Sequence, residues 1–123
     1  MRRLPDAELE VMKVLWELGP DTPRSELEGG LAPFGWAANT VNTYLSRLAD
    51  KGFVAVRRAG KSNLYTPLVS REEYQAFDSR AVLSRLYGSP RNFVASLARE
   101  GLRQGELEEL QALLDELKGG GGR

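Results

Sequence analysis

The sequence contains no cysteine, so neither a disulfide framework nor a thiolate metal site is available to it. Histidine is absent too, which removes the commonest general base and the commonest metal ligand. Glu8, Glu10, Glu72 and Glu73 offer carboxylates, but each fits a helix start or a solvent face, and no spacing among them recommends acid–base catalysis. A non-enzyme with no cofactor and no metal is expected. No apolar run approaches the roughly eighteen residues of a membrane span. Met1-Arg2-Arg3 leads straight into LPDAELEVM without an apolar leader, so a cytoplasmic protein with no membrane insertion is expected. An excess of charge is also missing, since 17 bases balance 17 acids. The charges are unevenly spread, however. Between Trp36 and Ser70 stand Arg47, Lys51, Arg57, Arg58 and Lys61 against the single acid Asp50. A basic face on a neutral chain is the footprint of a polyanion partner, and a plain solvated surface is the alternative.

What is present is mostly helical periodicity over 123 residues, enough for one domain or one domain plus an arm. A first helix is expected over Asp6–Leu18, with Asp6 as N-cap, Leu9, Met12, Leu15 and Trp16 as the apolar stripe, Val11 and Leu18 on its flank, and Gly19-Pro20 as the stop. A short second helix follows, with Thr22 as N-cap, Pro23 at the first position and Gly29-Gly30 loosening its end. A third is expected over Ala38–Asp50. Val41, Leu45 and Leu48 share its buried face, Tyr44 lies at the edge, and Lys51-Gly52 closes it. Phe53–Arg58 and Asn63–Pro67 then read as two strands joined by Ala59-Gly60-Lys61-Ser62. Three helices and a hairpin make the winged form of the helix-turn-helix.

The outward face of the third helix carries Asn39, Thr40, Asn42, Thr43 and Arg47. Amide, hydroxyl and guanidinium groups are those that read base edges, and none of these residues blocks close approach. Taken alone, the pattern fits an ordinary amphipathic helix equally well. The adjacent hairpin concentrates Arg57, Arg58, Lys61 and Ser62 at its tip, where cations supply sequence-independent affinity for phosphates. Lys51, Arg24 and Ser25 are added as backbone contacts, the last two because a helix N-terminus attracts anions.

Beyond Val69 the character changes. Ser70 and Glu73 form a capping box that opens a helix to about Tyr87, carrying Tyr74, Phe77, Ala81, Val82 and Leu86. After the Gly88-Ser89-Pro90 break, Arg91–Arg99 reads as a short helix with Phe93, Val94 and Leu97 inward. The last helix, Glu106–Leu117, presents Leu107, Leu110, Leu113, Leu114 and Leu117 on one side. The arm is too small for an independent core, so packing against a second copy is expected through Tyr74, Phe77, Leu86 and those leucines. Packing back on its own domain is the alternative. The expected architecture is mainly α with a small β-hairpin: a winged-helix domain over residues 1–69, a three-helix dimerisation arm over 70–118 and a flexible glycine-rich tail over 119–123. No internal repeat is visible.

The stretches LPDAELEVMKVLWELGPDT, NTVNTYLSRLADKGFVAVRRAGKSNLYTPLVSREEY and LSRLYGS together resemble the penicillinase-repressor family, the BlaI/MecI/CopY group, from Leu4 to about Leu117. The resemblance implies a winged-helix DNA-binding domain, a helical dimerisation domain, and a homodimer that represses transcription from an inverted-repeat operator in double-stranded DNA. It also implies control of antibiotic-resistance genes, with repression relieved when a membrane sensor-protease pathway leads to cleavage in the C-terminal part. Three departures stand out. Ala37-Ala38 follows Trp36 where members often carry Ser-Pro, so the third helix is expected to lack a side-chain cap. The cysteine motif of the copper-responsive branch is absent. The scissile Asn-Phe pair of the β-lactam branch has two candidate positions: Asn92-Phe93 matches by residue type, and Ser96-Leu97 by alignment on the LYGS segment. A winged-helix module that binds protein and not DNA remains the rival reading.

Overall fold

Helix α1 (Asp6–Leu18) starts on Pro5, whose carbonyl accepts Leu9 N at 3.0 Å, and no side chain caps it. Asp6, expected as the cap, is instead the first helical residue, where its carboxylate still complements the helix dipole. The computed structural model describes residues 1–121. It rotates the buried face of α1 from the expected stripe. Val11, Met12 and Leu15 are fully buried, whereas Leu9 and Trp16 are half-buried. α1 packs against α2 (Arg24–Leu31) and α3 (Ala38–Asp50), and Val11 is fully buried in the core they share.

Thr22 does not cap the second helix, and Pro23, expected at its first helical position, is instead its N-cap residue. They form a short strand, β1 (Thr22–Pro23), antiparallel to β3 (Ser62–Pro67), with Thr22 opposite Tyr65. The sheet therefore has three strands in the order β1-β3-β2, where β2 is Val54–Ala59. Gly29 and Gly30 sit inside α2 without ending it. At Gly30 an added Cβ would stand only 2.4 Å from Val14 Cγ1, so the glycine lets α2 approach α1. A 3-10 turn (Ala32–Phe34) leads to Gly35 at φ +66°, and α3 then begins uncapped at Ala37. Its bounds are those its periodicity predicts. The wing loop is tighter than the four residues expected. Ala59 pairs with Ser62, leaving Gly60 at φ +63° and Lys61 as the two loop residues, a pattern that suits the twist of a hairpin.

Helix α4 (Arg71–Val82) carries the expected capping box. Glu73 N donates to Ser70 Oγ at 3.0 Å, and Ser70 N donates to Glu73 Oε1 at 2.9 Å. The Ser70 N–H holds the Glu73 carboxyl below its ordinary pKa. The first turns of α4 belong to the N-terminal body. Trp16 Nε1 donates to Val69 O, Arg71 lies over the Trp16 ring, and Leu4 N donates to the Tyr74 hydroxyl at 2.7 Å. Asp78 holds the Arg3 guanidinium at 2.6 Å and raises its pKa. The first compact unit thus runs Met1–Ala81, past the Val69/Ser70 boundary read from the capping box.

The second unit begins at Val82. A π-helical turn (Leu83–Tyr87) closes with Gly88 N on Leu83 O at 2.6 Å. Helix α5 (Pro90–Glu100) is capped by Ser89 Oγ, which accepts Asn92 N, and the Tyr87 and Phe93 rings meet edge to face at 4.9 Å. Helix α6 (Gln104–Gly121) opens two residues before the expected Glu106, because Arg103 N donates to Glu106 Oε1 at 3.0 Å and lowers that carboxyl's pKa. α6 also runs beyond Leu117 through Gly119–Gly121, which were expected as part of the tail; the rest of that tail, Gly122 and Arg123, lies outside the described residues.

Candidate nucleic-acid interface

α3 is held by Val41, Leu45 and Leu48, which enter the core of the first unit. This fixes the opposite arc outward. Asn39, Asn42, Thr43 and Arg47 are exposed and Thr40 is half-exposed. Arg47 has no protein partner among the described residues. Thr43 spends its hydroxyl proton on Asn39 O, one turn back at 3.0 Å, so it can offer only lone pairs and a methyl group to a ligand. The first turn has no side-chain cap, and Thr40 N and Val41 N both donate to Ala37 O.

The hairpin lies alongside this helix. Strand alternation puts Val54, Val56 and Arg58 of β2 on one face with Asn63 and Tyr65 of β3, while Arg57 lies on the other. The first of these faces turns towards α3. Val56, Asn63 and Tyr65 meet Asn42, Ser46 and Ala49 across a cleft of about 390 Å³. Ser46, Asn63 and Val56 therefore line this cleft, which the sequence reading missed. Ser46 lies four residues from Asn42 and shares its flank, a signal that helical spacing carried. Val56 reads as a core strand residue yet is 48% exposed, and burial along β2 falls off after Val54.

The expected cations divide on inspection. Lys61 is exposed at the loop, and Arg58 makes only a hydrogen bond from Nε to Gly60 O, 3.2 Å away. Both are free of acidic partners among the described residues. Ser62 and Ser25 are exposed as well. Arg57, on the far face of the sheet, instead pairs with Asp21 at 3.3 Å. Lys51 is turned inward: its Nζ meets Glu8 Oε1 at 2.5 Å, with the Glu8 side chain 2% and the Lys51 side chain 17% exposed. This pair competes with the phosphate contact expected of Lys51, since the ammonium is already held by a buried carboxylate. Arg24 is likewise engaged within the protein, by Asn42 and Glu28.

In the arm, Tyr74 needs a correction. It is 4% exposed and packs on Phe53 and Trp16 inside the first unit, so it offers no surface to a partner. Phe77 is half-buried against the same core. Leu86 is 74% exposed, Leu107, Leu113, Leu114 and Leu117 are exposed, and Leu110 is half-exposed. Both candidate cleavage pairs, Asn92-Phe93 and Ser96-Leu97, lie within α5.

The model of the family described as penicillinase repressor matches residues 4–116. The penicillinase repressor of Bacillus licheniformis is 31% identical over 123 aligned residues, covering 96% of each chain. The methicillin resistance regulatory protein MecI of Mammaliicoccus sciuri is 27% identical over 114 residues, covering 91% of this chain and 93% of that protein. Among solved structures, the DNA-binding domain of the repressor BlaI matches with a TM-score of 0.52 and 33% identity, over 60% of this chain and 94% of that domain.

Proposed function

We propose that this chain, which belongs to the penicillinase repressor family and is a DNA-binding transcriptional repressor, acts as a cytoplasmic homodimer on an inverted-repeat operator. It is not an enzyme; its relatives include a penicillinase repressor and the repressor BlaI. The observation that carries the reading is the open face of α3 (Asn39, Asn42, Thr43 and Arg47) beside a wing whose Arg58 and Lys61 have no acidic partner. In this arrangement α3 enters the major groove, and Arg58 and Lys61 neutralise flanking phosphates. Arg47 reads a guanine or clamps a phosphate. Arg57 contributes only after its pair with Asp21 opens.

Dimerisation through the second unit is supported by the leucines of α6. Leu107, Leu110, Leu114 and Leu117 recur at intervals of three, four and three residues, the a/d pattern of a helix-pairing seam, with Leu113 beside it. Two copies related by a two-fold axis then present two α3 helices to two half-sites. The likeness to MecI supports antibiotic-resistance genes as targets. A sensor-protease pathway acting at either candidate pair has to unwind α5 first, because both bonds lie within hydrogen-bonded helix.

Gel shifts with promoter DNA from beside the chain's own gene, against scrambled duplexes of equal length, test the reading. Preference for the promoter is expected, with an affinity that falls steeply with salt. Removing Lys61 or Arg58 should flatten that salt slope by about 0.9 each. Equal binding to promoter and scrambled DNA overturns sequence-specific repression. Binding to neither, together with capture of a protein that tolerates loss of Arg58 and Lys61, would establish the protein-interaction module.

A further inference from the structure

Arg24 has the position of a phosphate contact, at the start of α2, but its fork is used inside the protein. Nη1 donates to Asn42 Oδ1 at 2.7 Å and Nη2 to Ala38 O at 3.4 Å, while Nε lies 3.0 Å from Glu28 Oε2 as an ion pair outside hydrogen-bond alignment. The side chain is 23% exposed. A guanidinium has donors only, so the Asn42 amide must turn its oxygen to Arg24 and its NH2 group elsewhere. An asparagine on an open helix face would sample both orientations; this one is held in a single orientation at the mouth of the helix–wing cleft.

On the DNA-binding reading above, we propose that Arg24 is a positioning residue for base recognition. It sets the Asn42 amide so that its N–H donors point at a base edge, favouring acceptors such as guanine N7 and O6 or thymine O4 over the N4 donor of cytosine. The planar fork is essential to this role. It grips the Asn42 side chain and the Ala38 carbonyl of the first turn of α3 at once, which the single ammonium of lysine cannot do with the same geometry.

The test uses the full chain and duplexes that it enriches from a randomised library. Affinities for every single-base-pair variant of the enriched site are measured at several salt concentrations for the wild type, R24K, R24M, N42A and R24K/N42A. Thermal melting checks that each variant is folded. R24K and R24M should both lose discrimination, by about tenfold, at the same base pair where N42A loses it. The double variant should be no worse than N42A, and the salt slope should stay at the wild-type value throughout. Full specificity in R24K, with R24M weakened equally on all duplexes and a salt slope flatter by about 0.9, would make Arg24 a phosphate clamp and overturn the proposal. An N42A variant with no base-pair preference to lose would overturn it too. Failure of the wild type to enrich any duplex would instead sink the DNA-binding reading beneath it.

Discussion

From Met1 to Ala81 apolar side chains build a buried core, although Leu18, Phe34, Val56 and Leu68 stay exposed. Met12, Leu15, Leu27, Leu48 and Phe53 lose essentially all contact with water. From Val82 onward no described side chain is buried, and Leu86, Leu113, Leu114 and Leu117 stand open. The two regions use the same residue type for different ends. In the first, leucine stabilises the fold of one chain by roughly 25 cal/mol per Å² of apolar surface removed from water. In the second, helices are set by local devices, namely the Ser89 cap of α5 and the Arg103–Glu106 bond at the start of α6, while Leu86, Leu113, Leu114 and Leu117 remain exposed. A helical arm of this kind has little stability of its own, since short helices without packing are marginal in water.

The largest effect expected falls on the buried pair of the first unit. Lys51→Met leaves the Glu8 carboxylate unpaired in the core and should destabilise that unit by about 3–5 kcal/mol in urea unfolding, with Lys51→Met/Glu8→Leu recovering most of the loss. An uncompensated loss under about 1 kcal/mol would show that water reaches Glu8 and that this core is less dry than described. Leu15→Ala comes next, at about 2–5 kcal/mol in the same experiment, because Leu15 is fully buried and its removal opens a cavity. Leu114→Ala is its counterpart in the arm. At concentrations where the chain is monomeric it should change stability by no more than about 0.5 kcal/mol, yet it should weaken self-association in sedimentation measurements. A core-sized loss for Leu114→Ala in dilute monomer would erase the contrast between the regions.

The smallest effect is a pH dependence common to both. Glu73 and Glu106 each have a folded pKa below the ordinary 4.5, through the N–H groups of Ser70 and Arg103. A depressed folded pKa means that stability is present above the unfolded value and is lost as pH falls through the lower folded value. Acidification below about 4.5 should therefore fray the starts of α4 and α6, and Glu73→Gln or Glu106→Gln should blunt the response at its own helix in amide exchange. α6 should fray first, having no core behind it. Equal resistance of the two helices in dilute chain would mean that the arm has packing of its own.

Much of this was legible along the chain because it depends on neighbours in sequence. The bounds of α3 follow from Val41, Leu45 and Leu48 at helical spacing with a glycine beyond the end, and the Ser70–Glu73 box is a three-residue signal. The outward arc of α3 came with its buried face, since one side of a helix defines the other. Residues that bond across long separations were hidden. Lys51 reads as a helix-ending surface cation, and nothing near it in sequence announces Glu8; the two lie 43 residues apart. β1 was missed because Thr-Pro is a standard helix start, and only the edge of β3 recruits it as a strand. Tyr74 shared its helical stripe with arm residues, but Leu4, Phe53 and Trp16 claimed it.

Local periodicity and capping chemistry were enough to assign a helix-helix-helix-hairpin order, a polar outward face on α3 and a leucine-lined arm, since those patterns repeat within a few residues. Which cations remain free for a polyanion was settled by folding alone. Arg57, Lys51 and Arg24 each found an acid or amide brought close from elsewhere in the chain, and Arg47, Arg58 and Lys61 found none among the described residues. Charge is written in the residue, whereas availability depends on what the packed chain puts within about 4 Å of it.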